Sequence, residues 1–348
     1  MVIKAKGSWR HEPKRGILMK LTIITYFLLF SSLIFGQNIQ FENLGFRHLQ
    51  MLYKNDTVDI LVKSKKGEEN KQKPLFLFCQ GSGSTPLIVK EGNEYYGTFP
   101  FTTDTLLDKF HIAIISKPFI SLIIERQNLN SDYFYLDKNN LVPKKYSERN
   151  YLSYYVGRNI AAIEFLEKQK YISSKKLIIA GHSEGATIAS KLASKYHKIT
   201  HLIYSGGNPF GRIMTMIGQF RKIESDSLPY AESRFSLWNS VLKDTNSLEF
   251  SNGDTNKSLY GFSKPPIEYL QKLKMPVFVT YGSLDWCAPF NDYFRIKMIT
   301  DNKINFTFKA YVGTEHNFFP FKADGVTNFE NYNWNKVVYD WVNWIEHN

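Results

Sequence analysis

The sequence has few of the features that mark disulfide-stabilised, zinc-binding or disordered proteins. Its 348 residues include two cysteines, Cys79 and Cys287, too few for a disulfide framework or a zinc ribbon. The 21 glycines and 13 prolines are spread along the chain, which excludes collagen-like and low-complexity classes. With 43% hydrophobic residues the chain can bury a large core of its own. We expect both thiols to be buried and free.

The positive charge is scattered and not organised into a binding surface. The formal net charge is +12, of which +5 belongs to residues 1–36. The remaining +7 is distributed over lysines, many of which have acidic neighbours. The sequence contains no helix-turn-helix, zinc finger or arginine-rich stripe that would dock on a nucleic acid. We therefore predict a solvated, lysine-rich surface and no nucleic-acid partner.

An uncharged apolar run, Leu21–Phe35, follows a basic segment and precedes Gly36 and Gln37. A basic region, an apolar region of about 7–15 residues and a small residue at the cut are typical of a secretory signal peptide. The run is shorter than the ~20 residues that a membrane-spanning helix needs. The sequence therefore predicts that residues 1–36 are a signal peptide and that the protein is secreted or periplasmic.

Two alternatives concern this amino-terminal segment. Met19 directly precedes the last lysine before the apolar run, so it is a second candidate start, with residues 1–18 as an extension. The apolar run could also stay uncleaved as a membrane anchor. With cleavage, the mature chain is 37–348, and we expect no stable membrane span in it.

Short apolar runs alternate with helical patterns along the rest of the chain. Runs that are apolar throughout are typical of strands covered on both faces, as in parallel sheets. We predict strands at Val58–Val62, Leu75–Cys79, His111–Ile115, Leu177–Ala180, His201–Tyr204, Val277–Tyr281 and Ile304–Val312. Apolar residues at intervals of three and four predict helices over about 151–166, 186–193 and 334–345. The alternation predicts an α/β fold: a mostly parallel central sheet with helices on both faces.

Two segments, Pro118–Asn150 and Asn208–Lys274, are too long to be plain connections. The second contains two apolar groups at helical spacing, which predicts an inserted helical cap over about 208–274. Six apolar side chains in this segment indicate an apolar substrate pocket, although we expect about half of them to pack on the domain beneath. These side chains are Met214, Met216, Ile217, Phe220, Phe235 and Trp238. The tryptophans of the last helix, Trp334, Trp341 and Trp344, share one stripe and are predicted to be core residues.

The chemistry is concentrated in the pentapeptide 181–185, which reads Gly-His-Ser-Glu-Gly. It lies between the predicted strand 177–180 and the predicted helix 186–193, the context in which G-x-S-x-G forms a sharp strand-to-helix turn. Glycines are needed there because side chains would collide. The turn raises the Ser183 hydroxyl above the sheet, while His182 is expected to point away from it. Ser183 is the predicted nucleophile.

A serine hydroxyl needs a base to take its proton and an acid to orient that base. In this architecture the three follow in the order serine, acid, histidine, each after a strand. Asp285 follows the sixth predicted strand and His316 follows the seventh. Taken singly, the aspartate fits a turn and the histidine a surface loop, but jointly with Ser183 they predict a catalytic triad. Asp292, inside the next helix, and Glu315, beside the histidine, are weaker candidates for the acid.

A glycine-rich loop, Gln80–Ser84, follows the strand Leu75–Cys79. A second oxyanion-hole N–H comes from this position in such folds. We predict that the backbone N–H of Ser82, with that of Gly83 as a further candidate, pairs with the N–H of Glu184. A phosphate-binding loop is excluded because no Gly-Lys-Ser/Thr follows.

Taken together, these motifs resemble the α/β-hydrolase superfamily over most of residues 58–348. The resemblance implies that Ser183 is the nucleophile, His316 the general base and Asp285 its orienting acid, with no cofactor and no metal. Gln80 stands where many esterases of the superfamily carry histidine, so the subfamily stays open.

The sequence thus predicts an exported serine hydrolase that cleaves an ester or amide bond through an acyl-enzyme. The substrate would be a small molecule or a short peptide. A carboxylesterase is favoured, because no propeller-like repeat precedes the catalytic region in the sequence. Two alternatives stay open: a serine peptidase of the prolyl-oligopeptidase-like type, and a catalytically inactive exported binding protein on the same fold.

Overall fold

Eight strands form one central sheet in the computed structural model, which describes residues 41–251 and 254–348. In chain order the strands are β1 (Phe46–Tyr53), β2 (Asp56–Lys63), β3 (Lys73–Cys79), β4 (Ile88–Glu91), β5 (Glu94–Tyr96), β6 (His111–Ile115), β7 (Ile123–Glu125), β8 (Ile172–His182), β9 (His201–Ser205), β10 (Phe250–Ser251), β11 (Asp254–Thr255), β12 (Val277–Gly282) and β13 (Phe306–Tyr311). The predicted signal peptide lies outside the described residues. Within the described ranges, none of the helices is long and apolar enough to cross a membrane.

The order of the strands across the central sheet is β1-β2-β6-β3-β8-β9-β12-β13. The pairs β1–β2 and β2–β6 are antiparallel, whereas every pair from β6 to β13 is parallel. The remaining strands form a three-stranded sheet, β5-β4-β7, and a two-stranded sheet, β10-β11. The prediction of a mostly parallel central sheet is confirmed.

Helices connect most of the parallel strands. In chain order they are α1 (Asp104–Leu107), α2 (Lys144–Ser147), α3 (Leu152–Glu167), α4 (Glu184–Ala193), α5 (Arg212–Arg221), α6 (Tyr230–Lys243), α7 (Asn256–Ser263), α8 (Ile267–Leu270), α9 (Ala288–Thr300) and α10 (Trp334–Glu346), with 3₁₀ turns at Phe41–Leu44 and Arg126–Asn128. The three helices predicted outside the insertions correspond to α3, α4 and α10. Two parallel neighbours cannot be joined by a tight turn, so the chain between them must cross over the sheet, usually as a helix.

The central strands are covered on both faces, because successive side chains of a strand point to opposite sides. Leu75 and Leu77 of β3 lie in the large core beneath α3 and α4. Phe78 points the other way and meets Phe101 edge-on, with ring centroids 5.3 Å apart. Trp341 of α10 covers Phe101 at 5.7 Å. The three tryptophans of α10 are all at least nine-tenths buried, which confirms their prediction as core residues.

All seven predicted strands are present, with differences at the ends. The last prediction, Ile304–Val312, was too long, because the strand is Phe306–Tyr311 and both Ile304 and Val312 are almost fully exposed. Strand β1 was not predicted. It pairs with β2 across the two-residue turn Lys54-Asn55, whose positive φ angles of 51° and 65° are those of a tight hairpin.

The insertion 208–274 contains both predicted helices, as α5 and α6, and also α7 and α8. Leu237, Val241 and Leu259 form a small core of its own between α6 and α7. The earlier segment 118–150 contains β7 and α2, and it packs in a further small cluster with β4. Each insertion therefore has its own apolar packing beside the main core.

The glycine at the start of α4 is predicted to be required by packing. We expect Gly185→Ala to lower the free energy of unfolding by about 1–3 kcal/mol, because the added Cβ would collide with the backbone carbonyl of Cys79. Urea titration measures the loss. The matched control is Gly261→Ala in α7, where the nearest atoms to the added Cβ lie 3.7 Å away. It should be neutral or stabilising by up to about 1 kcal/mol. Equal losses in the two variants would contradict the packing argument.

Candidate active site

Ser183 lies on the turn between β8 and α4 in a strained backbone conformation. Its φ is 58° and its ψ is −124°, a region that residues other than glycine rarely adopt. The Ser183 N–H donates to the Ser205 carbonyl at 2.9 Å, and the Ser183 carbonyl accepts from the Ala186 N–H at 3.0 Å. A Cβ at Gly181 would collide with the backbone of Gly185. Both glycines of the pentapeptide are therefore needed for the close approach of strand and helix.

Asp285 and His316 meet at the carboxyl ends of neighbouring strands, β12 and β13. The His316 Nδ1 lies 2.8 Å from Asp285 Oδ2, and the Cys287 N–H donates to Asp285 Oδ1 at 3.0 Å. Because the carboxylate can only accept, Nδ1 carries the proton and Nε2 remains as the basic nitrogen. Asp285 is 2% exposed and His316 8%. The carboxylate is thus held from two sides, and the imidazole faces it in a defined tautomer.

Ser183 and His316 line one cavity of about 270 Å³. Among the described residues, the Ser183 hydroxyl forms no hydrogen bond with His316. In ligand-free sites such bonds are often long and shorten when substrate binds. The structure therefore brings the three predicted residues to one edge of the sheet, with the Asp285–His316 bond in place.

The two competing acids have other partners. Asp292 accepts a hydrogen bond from the Tyr281 hydroxyl at 2.6 Å. Glu315 accepts from the backbone N–H groups of Asn317 and Phe319, at 2.8 and 3.0 Å, and so closes its own turn. Asp285 is the carboxylate on the imidazole.

Two rings cover the faces of the His316 imidazole. Trp286 stacks on it with centroids 4.6 Å apart, and His182 lies 4.9 Å away at an angle of 41°. The His182 nitrogens contact Ser205 Oγ at 3.1 Å and Asn317 Oδ1 at 3.3 Å. Burial lowers the pKa of His182 well below its usual value, so this ring stays neutral beside His316. Trp286 was not predicted as a site residue. The feature of the sequence that could have indicated it is its position directly after Asp285.

The glycine-rich loop Gln80–Ser84 lies against the strand-to-helix turn that carries Ser183. A Cβ at Gly81 would be 3.8 Å from the Cβ of Ser183, and Gly83 has a φ of 96° with Phe134 packed over it. The backbone N–H groups of Ser82, Gly83 and Glu184 donate to no acceptor in the part of the chain that the structure describes. Ser82 and Glu184 line the same cavity as Ser183. These amides are available to a ligand oxygen.

A chain of linked charges joins the buried Lys117 to three charged side chains that line the cavity. The ammonium of Lys117 donates to the Gly81 carbonyl at 2.5 Å and lies 3.3 Å from Glu184 Oε1. Arg212 Nη1 lies 3.2 Å from Glu184 Oε2, without hydrogen-bond geometry, and donates to Asp254 Oδ1 at 3.1 Å. Two cations and two carboxylates therefore balance in this chain.

Burial acts on both ends of that chain. It raises the pKa of Asp254 despite the neighbouring Arg212, and it lowers the pKa of Lys117 despite Glu184. Lys117, Arg212 and Asp254 were not predicted from the sequence, and neither was the pairing of the Glu184 carboxylate with them. The one available signal was Lys117, a lysine separated from the apolar run of β6 by a single serine.

The walls of the cavity are mainly polar, which corrects the expectation of an apolar pocket. Of the six apolar side chains that the sequence predicted for the pocket, Met216 alone lines the cavity in the part of the chain that the structure describes. Ile217 is buried and Phe235 is 44% exposed. The polar side chains that line the cavity besides the predicted triad and oxyanion-hole residues are Thr187, Asn208, Arg212, Thr215, Gln219 and Asp254. Helical spacing identified the buried stripes of the insertion but not which side chains reach the cavity.

Both cysteines are buried and free, as predicted. Cys287 lines the cavity, and its backbone N–H holds Asp285. Across residues 41–251 and 254–348, no three His, Cys, Asp or Glu side chains are grouped so that they could hold a metal ion.

Two protein-family models match parts of this chain. The model of the dienelactone hydrolase family matches residues 250–347, the part that contains Asp285 and His316. The model described as "BAAT / Acyl-CoA thioester hydrolase C terminal" matches residues 159–267, the part that contains Ser183. No curated protein sequence is significantly similar to the chain.

Solved structures share the fold at low sequence identity. A Bacteroides ovatus protein, provisionally described as dipeptidyl aminopeptidase IV, aligns with a TM-score of 0.52 and 12% identity over 87% of this chain and 36% of its own. Est1E from Butyrivibrio proteoclasticus, in a structure with ferulic acid bound, aligns with a TM-score of 0.50 and 13% identity over 84% of this chain and 96% of its own. The acylaminoacyl peptidase of Pyrococcus horikoshii aligns with a TM-score of 0.49 and 16% identity over 79% of this chain and 38% of its own. The chain thus spans little more than a third of both peptidases.

His182 should make stability depend on pH. The unfolded chain binds a proton at this residue with a pKa near 6.5, whereas the folded chain does not, so protonation favours unfolding. Between pH 7.5 and 5.5 we expect His182 to account for a loss of about 1.4 kcal/mol in the free energy of unfolding. Urea titrations of the wild type and of His182→Asn at both pH values measure it. His111 and His201, also buried, are common to both proteins. An equal loss in the variant would contradict the assignment.

Proposed function

We propose that this chain, which has the α/β-hydrolase fold, is a serine hydrolase acting through Ser183, His316 and Asp285. The observation that carries the proposal is the Asp285–His316 hydrogen bond of 2.8 Å at a cavity that Ser183 also lines. The strained backbone of Ser183 supports it, since such strain is concentrated at functional sites.

The proposed reaction is acyl transfer to Ser183 followed by hydrolysis. His316 Nε2 takes the hydroxyl proton as Ser183 Oγ attacks the substrate carbonyl. The oxygen of the tetrahedral intermediate accepts hydrogen bonds from the N–H groups of Ser82 and Glu184, with Gly83 as a further donor. Removing one such donor costs about 2.7–4 kcal/mol of transition-state stabilisation. His316 then protonates the leaving group and later activates the water that releases the acid.

The proposed substrate is a small ester with a polar acyl part. A cavity of about 270 Å³ is at the lower end of the range for small-molecule sites, and its walls are largely polar. The descriptions of the two matching family models include a dienelactone hydrolase and an acyl-CoA thioester hydrolase, and both of these names refer to ester-type bonds. These features favour esterase over peptidase activity.

We also propose that residues 1–36 direct export and are removed. The support is the basic segment, the apolar run and the small residue at its end. Amino-terminal sequencing of protein recovered outside the cytoplasm would then begin at about Gln37, whereas a start at Met1 or Met19 would contradict cleavage.

Labelling with a fluorophosphonate tests whether the protein is a serine hydrolase. We expect the wild type to be labelled at Ser183 and the label to be lost in Ser183→Ala, because the reagent needs an activated hydroxyl. Ser82→Ala is the matched control: it keeps the backbone N–H and should stay labelled. A wild type that is not labelled would support the inactive binding protein instead.

A substrate panel then separates the two hydrolase hypotheses. p-Nitrophenyl acetate and butyrate should be cleaved at least about tenfold faster, in kcat/KM, than the laurate, because a twelve-carbon chain exceeds the cavity. Aminoacyl p-nitroanilides should not be cleaved. Anilide cleavage without ester cleavage would replace the esterase proposal with the peptidase alternative.

A further inference from the structure

A single buried ammonium group lies behind both proposed oxyanion donors. Lys117, two residues after the end of β6, has a side chain that is 2% exposed. Its Nζ donates to the Gly81 carbonyl at 2.5 Å and lies 3.3 Å from the carboxylate of Glu184. The ring of Tyr155 lies 5.1 Å away on another side. The contacts of Lys117 are thus with the residue before Ser82 and with Glu184.

The first contact acts on the peptide that contains the Ser82 N–H. The Gly81 carbonyl and the Ser82 N–H belong to one planar unit, and a trans peptide points them in opposite directions. A donor fixed on the carbonyl therefore aims the N–H away from Lys117. Gly81 lies against Ser183, and Ser82 lines the cavity. A cation on the carbonyl also polarises the peptide and makes the N–H a stronger donor.

The second contact acts on the residue that supplies the other N–H. The Glu184 side chain is 5% exposed, and its carboxylate lies between Lys117 and Arg212. Arg212 is held in turn by Asp254 at 3.1 Å. Burial of an ammonium is unfavourable unless the group is paired and hydrogen-bonded, and the Gly81 carbonyl and the Glu184 carboxylate supply both kinds of contact to Lys117.

We infer that Lys117 is a positioning residue that aims the Ser82 and Glu184 N–H groups at the oxyanion. This inference rests on the proposed function, since an oxyanion forms only if Ser183 attacks a carbonyl. In this proposal Lys117 contacts the residues that carry the two donors and not the reacting atoms. It acts through the backbone of Gly81 and the carboxylate of Glu184.

The test is Lys117→Met, which keeps the length of the side chain and removes the ammonium. On p-nitrophenyl acetate we expect kcat to fall by about tenfold or more, with KM changed less than about threefold, because the donors act on the transition state. An aryl trifluoromethyl ketone, which adds to Ser183 and places an oxyanion in the same position, should bind more weakly by a similar factor. A merely structural role would not weaken this inhibitor in step with kcat.

Lys73→Met is the matched control. Lys73 is equally buried, donates to the Leu107 carbonyl at 2.7 Å and pairs with Glu68, at the start of β3 and away from the cavity. Its replacement should change stability but neither kcat nor the affinity of the ketone. Equal effects of the two lysine variants on kcat and on the ketone would overturn the inference.

Glu184→Gln is the second test variant, to be used if Lys117→Met does not fold. It keeps the N–H and the volume of residue 184 and removes the carboxylate that pairs with Lys117, so kcat and ketone affinity should fall together. A folded variant of either kind with wild-type kcat and ketone affinity overturns the inference, as does a fall in kcat without weaker binding of the ketone. If fluorophosphonate labels the wild type, such a result leaves the proposed function in place. A wild type that is not labelled refutes the function itself.

Discussion

The hydrogen bond between Asp285 and His316 is the interaction on which the rest of the site depends. It joins the ends of two parallel strands, and it fixes both the tautomer of the imidazole and the direction of its free nitrogen. The Cys287 N–H holds the carboxylate from the other side, and Trp286 and His182 cover the faces of the ring. The parallel sheet provides the setting, since the carboxyl ends of β8, β12 and β13 lie along the same edge.

The residues of the proposed relay could be predicted from the sequence because each follows an apolar strand at a short distance. Ser183 lies in a pentapeptide whose glycines are required by sterics, and Asp285 and His316 occupy equivalent positions after later strands. The same apolar runs predicted the seven strands on which the positions of these three residues depend. Strand β1 was missed because it is amphipathic and only partly buried, so it lacks a continuous apolar run.

The surroundings of the relay could not be predicted in the same way. Lys117, Arg212 and Asp254 come from three separate segments. The pairing of Lys117 and Arg212 with Glu184, and of Arg212 with Asp254, exists only in the folded chain. The polarity of the cavity was also misjudged. An apolar stripe on a helix shows that the stripe is buried, but the stripes of α5 and α6 mostly pack within the insertion, and polar side chains of α5 reach the cavity instead.

The central claim is that Ser183 and His316 act as one unit, and a double-mutant cycle on kcat tests it most directly. Ser183→Ala and His316→Ala should each lower kcat for p-nitrophenyl acetate by about four orders of magnitude or more. If the two residues form one relay, the double variant should be no slower than the slower single variant, within about threefold. A double variant whose loss is the product of the two single losses would contradict the account, because the residues would then contribute independently.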